Sequence, residues 1–265
     1  MKQADSQLAS DYIGNTVIQK LFERTSPHLR YAMLERVAPH LAMVGIHKNG
    51  TWAAQKIIEC SRSDEERRLV CGHLAPFAPP LMCDSLGNYV CAGTLRFGGP
   101  WSDYVFDAMM DRMWDIAQNR FGARCMRTCL ESQYTSHYQR VRQSTFLLNR
   151  TDMQKRVSTG IILNSIPLAT NPNGALLLTW LVDQSNLPGR YGLLAGRFVP
   201  HIAHLSTHKL ASLTVLRSKS ICGMRNQLTA SHHPNRRAIR RYYPYQCHFH
   251  LDKRCHLDRN SDRCE

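Results

Sequence analysis

The chain has 265 residues, 43% hydrophobic and 20% charged, which excludes wholesale disorder and suits one large domain or two small ones. The longest apolar stretches, such as Ala175 to Leu178, fall far short of the ~18 residues of a membrane span, and Met1 to Ser6 has no apolar run of signal-peptide type, so a soluble intracellular protein is expected. A net charge of +14 points to a polyanionic partner; Ser218 to Glu265 hold ten basic and four acidic residues, leaving 24 and 16 for a moderately basic body.

Helical signals follow one another along the chain. From Gly14 the segment Gly14-Asn15-Thr16-Val17-Ile18-Gln19-Lys20-Leu21-Phe22 reads as a helix with Asn15, Thr16 and Gln19 on one side and a core stripe of Val17, Ile18, Leu21 and Phe22 on the other. Ser26-Pro27 is a helix start, Leu29, Met33, Leu34 and Val37 fall at helical spacing, and Pro39 marks the stop. A second helix follows from about Asn49, with Thr51, Trp52 and Gln55 opposite Ala53, Ala54, Ile57 and Ile58. Asp64-Glu65-Glu66 favours the next helix start through the dipole, and Ser185 with Pro188 occupies a later one. No segment sustains period-two alternation, so no strand is expected.

These signals repeat. Pro39-His40-Leu41-Ala42, followed by His47-Lys48, returns as Pro200-His201-Ile202-Ala203 with His208-Lys209 at the same offset, and more loosely as Ala75-Pro76-Phe77-Ala78 with Asp84-Ser85-Leu86-Gly87. Gly14, Gly50, Gly87, Gly122, Gly174 and Ala211 then stand as equivalents, at intervals of 36, 37, 35, 52 and 37. The long interval is a normal unit with an insertion, placed at about residues 133–154. Each unit reads as two helices, and stacked pairs sharing a continuous core give an all-α solenoid.

The second helix of each unit carries a polar triplet: Asn15, Thr16, Gln19; Thr51, Trp52, Gln55; then Asn88 and Tyr89, with Ala92 in the third place. Units four to six carry Ala123, Arg124, Arg127; Ala175, Leu176, Thr179; and Ser212, Leu213, Leu216. A solvated helix face is the plain alternative for the amides, and Trp52 reads as core or as an exposed stacking group.

With this period and these segments (Gly14 to Gln19, Asn49 to Gln55, Gly87 to Val90) the chain resembles the Pumilio or PUF RNA-binding proteins, over about residues 10 to 217. Their repeats are about 36 residues long and can each read one base. His47 to Gln55 and Asn171 to Leu178 look most like the divergent fungal branch, whose members often carry RNA-recognition domains upstream. The resemblance implies a right-handed α-solenoid of about six PUF-type repeats that binds single-stranded mRNA in its concave groove for post-transcriptional regulation in the cytoplasm, with protein regulators as further partners. It makes Asn15 with Gln19 a uracil-reading pair and gives base edges to Thr51, Gln55 and Asn88. Thr16, Trp52, Tyr89 and Arg124 take the stacking place, worth about 1–3 kcal/mol per base, and Arg127 is a phosphate-capable charge. Units five and six are nearly apolar in the triplet and are not expected to read bases in the ordinary way. An armadillo- or HEAT-like protein-interaction solenoid is the alternative.

No phosphate loop, metalloprotease helix or nucleophile elbow is present, so neither catalysis nor a cofactor is expected. His47 and His208 lack a nucleophile or carboxylate at shared spacing and are expected to cap or pack. Ten cysteines read as free thiols, with Cys60, Cys71, Cys83, Cys91, Cys125 and Cys129 buried among apolar neighbours. The domain reading is a repeat body over 1–217 and a basic tail over 218–265. The tail holds Cys247, His248, His250, Cys255, His256 and Cys264 without a CxxC or HxxxH pair, and is expected to be a disordered basic arm touching RNA phosphates rather than a zinc site. Apolar surface is expected at both ends of the stack.

Overall fold

The computed structural model describes residues 7–132, 146–185 and 187–217; the tail lies outside the described residues, as does 133–145 of the insertion. Among the described residues regular structure is helical throughout. The elements are α1 (Gly14–Arg24), α2 (Pro27–Val37), α3 (Leu41–Ile46), α4 (Gly50–Cys60), α5 (Asp64–Leu74), α6 (Ala78–Cys83), α7 (Gly87–Gly93), α8 (Asp103–Asp111) and α9 (Met113–Gln118). There follow α10 (Arg120–Glu131), α11 (Phe146–Leu163), α12 (Ser165–Thr170), α13 (Pro172–Asp183), α14 (Arg190–Phe198), α15 (Ile202–Thr207) and α16 (Ala211–Arg217).

Each complete unit has three helices where two are expected from the sequence. The outer helix does not simply stop at the proline. In α2 the chain tightens into a single 3₁₀ turn at Ala38–His40 and restarts as the short α3; Ala75–Phe77 and Val199–His201 do the same before α6 and α15. Proline has no N–H and its ring crowds the carbonyl four residues back, so the α-ladder breaks there without the chain leaving helical space. The start expected at Ser185 and Pro188 is also corrected: α14 begins at Arg190, after Gly189 in the left-handed region at φ 69°. Ser185 instead closes the end of α13, its hydroxyl donating to the Leu181 carbonyl at 2.6 Å.

The units stack in three rows. The inner helices α1, α4, α7, α10, α13 and α16 pack each against the next, and so do the short helices α3, α6, α9, α12 and α15. In the outer row α2 meets α5, α8 meets α11 and α11 meets α14. Helix α11 runs unbroken through the end of the segment 133–154, where Gln154 donates to the Leu130 carbonyl at 3.1 Å and Met153 packs on the core. The core runs between the rows as one cluster that includes Phe22, Leu34, Ile57, Leu74, Phe106, Ile116 and Phe198. Five of the six body cysteines are buried and Cys83 is half-buried, all as free thiols; desolvation pushes the Cys71 thiol up to about 12.

The core stripe expected on α1 is only half realised. Ile18 and Phe22 are buried, whereas Val17 and Leu21 are 44% and 43% exposed. Their register equivalents in α4, Ala53 and Ile57, are completely buried. In each later inner helix this edge turns toward the preceding unit, as the Cys125 thiol against the Asn88 carbonyl shows at 3.6 Å.

One buried ion pair ties units together in the outer row. Arg30 on α2 donates through Nε to Glu66 Oε1 of α5 at 2.7 Å and through Nη2 to Oε2 at 3.3 Å. Glu66 also completes a capping box: its Oε2 accepts from the Ser63 N–H at 3.0 Å while Ser63 Oγ accepts from the Glu66 N–H at 3.2 Å. Burial opposes the Glu66 charge, yet Arg30 and the Ser63 and Arg62 N–H groups outweigh it and hold the carboxyl below its usual value. Glu66→Ala should cost about 3–5 kcal/mol in denaturant unfolding, because it leaves Arg30 buried and unpaired. A depressed carboxylate stabilises above its ordinary value of 4.5 and loses that contribution as pH falls through the lower folded value. The acid limb of the stability curve should therefore be shallower in Glu66→Gln than in the native chain; identical limbs would contradict the assignment.

Candidate nucleic-acid interface

The inner row starts from a joint that recurs in units one to five. Six residues before each repeat glycine stands an apolar residue, Leu8, Val44, Leu81, Ile116 or Leu168, the last four in the second half of a short helix. Its carbonyl lies against the glycine. A Cβ on Gly50 would sit 2.5 Å from the Val44 oxygen, and one on Gly174 would sit 2.7 Å from the Leu168 oxygen, closer than a methyl group can approach a carbonyl. The repeat glycine is thus a demand of close backbone approach.

A second recurring group lies three residues before the glycine and went unrecognised as a series in the sequence. Asp11 Oδ1 accepts from the N–H groups of Ile13 and Gly14 at 2.9 and 2.7 Å. Asp84, Asn119 and Asn171 do the same with their side-chain oxygens, and His47 and His208 with Nδ1 at 3.3–3.4 Å. Each satisfies N–H groups that open an inner helix. The two histidines therefore cap, as expected. At Asp11 the Gly14 and Ile13 N–H groups also hold the carboxyl below its ordinary value. The signal in the sequence was the fixed offset: Asp, His, Asp, Asn, Asn, His at glycine minus three. Asn49 and Asn173, one residue before their glycines, each donate to a carbonyl of the preceding unit, Ser10 and Gln118.

With the helix start fixed, the triplet takes one arrangement. Counting from the residue after the glycine, place two is exposed in all six units: Thr16, Trp52 at 62%, Tyr89 at 44%, Arg124, Leu176 and Leu213. Consecutive inner helices pack side by side in the same phase, so these residues form one line across the row. Trp52 is accordingly no core residue.

Place one is different. Asn15, Thr51 and Asn88 are buried, not turned outward as the expected polar face has them. The Asn15 amide donates to the Asp11 and Tyr12 carbonyls at 2.9 and 2.7 Å, and the Asn88 amide to Asp84 and Ser85, both at 2.8 Å. These bonds pull the side chain back onto the turn before its own helix. In unit one Gln19 Nε2 donates to Asn15 Oδ1 at 3.0 Å; in unit two Gln55 Nε2 donates to Thr51 Oγ1 at 3.0 Å. An amide that spends one N–H this way keeps a second N–H and a carbonyl oxygen, adjacent donor and acceptor groups suited to a base edge.

Units three to six lack that pair, with Ala92 in the third place of unit three. Ala123 is buried, and exposed Arg127 is paired with Glu131 at 2.8 Å, so its charge is partly offset by a carboxylate in its own helix. Lys56 joins the first two inner helices by pairing with Glu23 and Glu59 at 3.0 and 2.9 Å. Among the described residues no helix is long and apolar enough to cross a membrane.

The cap makes a direct prediction. His47→Asp, which installs the residue used in units one and three, should leave stability near that of the native chain. His47→Leu should lose about 1 kcal/mol in denaturant unfolding. A leucine variant as stable as the native chain would remove the cap from the account.

A family model described as Pumilio-family RNA binding repeat matches residues 6–38 and 40–75. The chain is 46% identical over 216 residues to a Pumilio domain-containing protein of Schizosaccharomyces pombe, covering 82% of this chain and 19% of that one. It is 40% identical over 219 residues to the mRNA-binding protein PUF2 of Saccharomyces cerevisiae, with the same coverage of 82% and 19%. It spans about a fifth of the length of these relatives. Among solved structures, the PUM-HD domain of S. pombe Puf1 in complex with RNA superposes with a TM-score of 0.76 at 44% identity, covering 86% of this chain and 59% of that one.

Proposed function

The chain is a Pumilio-family repeat protein, and from that premise we propose that it binds single-stranded RNA, messenger RNA in particular, along the line of place-two residues on its inner helices. The observation that carries the reading is the common phase: five inner helices start at the same glycine joint, the sixth has Ala211 in that place, and in all six the residue two positions later is turned to solvent. Trp52, Tyr89 and Arg124 offer faces against which bases stack, and Thr16 holds the same place in unit one. Gln19 and Gln55 supply the base-edge contacts, held by Asn15 and Thr51; Asn88 braces unit three, and Arg127 lies beside the phosphate path. A chain net charge of +14 favours a polyanion.

The mechanism is recognition without chemistry. The two histidines that stand out as base candidates are occupied as helix caps, which supports a binding protein over an enzyme. We place the repeat body at 1–217 and a separate basic tail at 218–265, and assign the protein to the cytoplasm as a post-transcriptional regulator with protein partners. An armadillo-like protein-interaction scaffold makes the opposite prediction about nucleic acid.

Binding of single-stranded RNA at a fixed, stated salt concentration tests this. Trp52→Ala should weaken affinity about 5- to 150-fold, the value of about 1–3 kcal/mol of base stacking. Asn15→Ala/Gln19→Ala should change the base preferred at one position while leaving the others alone. Wild-type affinity in the first variant and an unaltered preference in the second would favour the protein-interaction scaffold.

A further inference from the structure

The place-two line does not keep one chemistry along its length. In units five and six it is Leu176 and Leu213, 56% and 57% exposed, in the register where Trp52 and Tyr89 stand. Around them the hydroxyl hydrogens are spent on nearby backbone: the Thr179 hydroxyl donates to the Ala175 carbonyl at 2.9 Å within α13, and the Ser212 hydroxyl to the Lys209 carbonyl in the turn before α16 at 3.2 Å. Place one in unit five is Ala175, with no polar side chain at all. These helices are nonetheless full members of the row. Helix α13 packs on α10, and α16 on α13; Gly174 and Ala211 are buried at their starts, and Asn171 and His208 cap them as elsewhere.

We infer that the RNA cradle is divided along its length into a base-reading end at units one and two and a sequence-blind end at units five and six, where Leu176 and Leu213 hold nucleotides by the faces of their bases alone. The inference rests on the RNA reading proposed above. A leucine side chain gives a base apolar contact but no donor or acceptor, and every base has a face, so such contacts add affinity without selecting sequence. Base discrimination comes from edge hydrogen bonds, and the described triplet side chains of these two units offer no such pair. The occupant is taken to be the continuing RNA strand because the two leucines prolong the same exposed line without a change of register.

The test uses the full chain and fluorescence anisotropy with single-stranded RNAs long enough to give each unit one nucleotide, at one salt concentration. Base substitutions over units five and six, located by shortening the RNA from each end, should change affinity by about twofold or less. Removing those nucleotides should weaken binding about three- to tenfold, and Leu176→Ala/Leu213→Ala should cause a similar loss for every sequence in the panel. The graft Ala175→Asn/Leu176→Tyr/Thr179→Gln should create one new position of base preference, with its thermal unfolding checked against the native chain. Substitutions over units five and six that change affinity tenfold or more would overturn the inference, as would leucine variants that bind long RNA as tightly as the native chain and leave this surface to a protein partner. Loss of all RNA binding in the native chain would instead remove the proposed function on which the inference stands.

Discussion

The contact between a carbonyl oxygen and a glycine six residues later sets the rest of this structure. It occurs where a short helix gives way to an inner helix, and in units one to five it leaves no space for a side chain at the repeat glycine in the first turn of the inner helix. Once that residue is pressed against the preceding turn, the helix has no rotational freedom about its own axis. Place one must turn inward, place two outward, and the residues at glycine plus three and plus seven toward the preceding unit. The cap at glycine minus three acts on the same few N–H groups, so two independent interactions fix one helix start. Ala211 at the sixth joint is completely buried, so one methyl group is accommodated there.

From that phase follow both the stack and the candidate interface. The plus-three and plus-seven edge is buried in α4, α10 and α13 (Ala53 and Ile57, Cys125 and Cys129, Leu177 and Leu181) and in α7 with the residue that follows it (Val90 and Thr94), and it is the edge that leaves Val17 and Leu21 open in α1. The outer row adds the Arg30–Glu66 pair, a costly element to bury that is satisfied on both sides and that ties α2 to the cap of α5. All three rows contribute to the buried core, and the inner row leaves only its exposed line free to vary. Such a division lets one line carry Thr, Trp, Tyr, Arg, Leu and Leu without disturbing the packing behind it.

Much of this was legible in the sequence because period and phase are printed there directly. The glycine series located all six inner helices, and the apolar spacing identified Ile57, Ile58 and Phe22 as core. The histidines were readable as caps because nothing chemical accompanied them. The proline-marked restart was hidden because Pro39 ends an α-ladder equally well whether the chain leaves the helix or tightens for one turn. The burial of Asn15, Thr51 and Asn88 was hidden for another reason: a helical wheel assigns direction from spacing alone, and these side chains are drawn back or shielded by the turn before their own helix. Glu66 read as an N-terminal charge; its pairing with Arg30 requires knowing which outer helices touch.

The central claim is that six place-two residues lie in one line facing a single-stranded nucleic acid, and photo-cross-linking tests it most directly. Single-stranded RNA carrying a photoreactive base would be irradiated with the full chain and the linked peptides sequenced. The account predicts linkages at Trp52 and Tyr89 on neighbouring inner helices, within the same RNA molecule. Linkages confined to outer-row residues such as Tyr31, with the inner helices unlabelled, would contradict it.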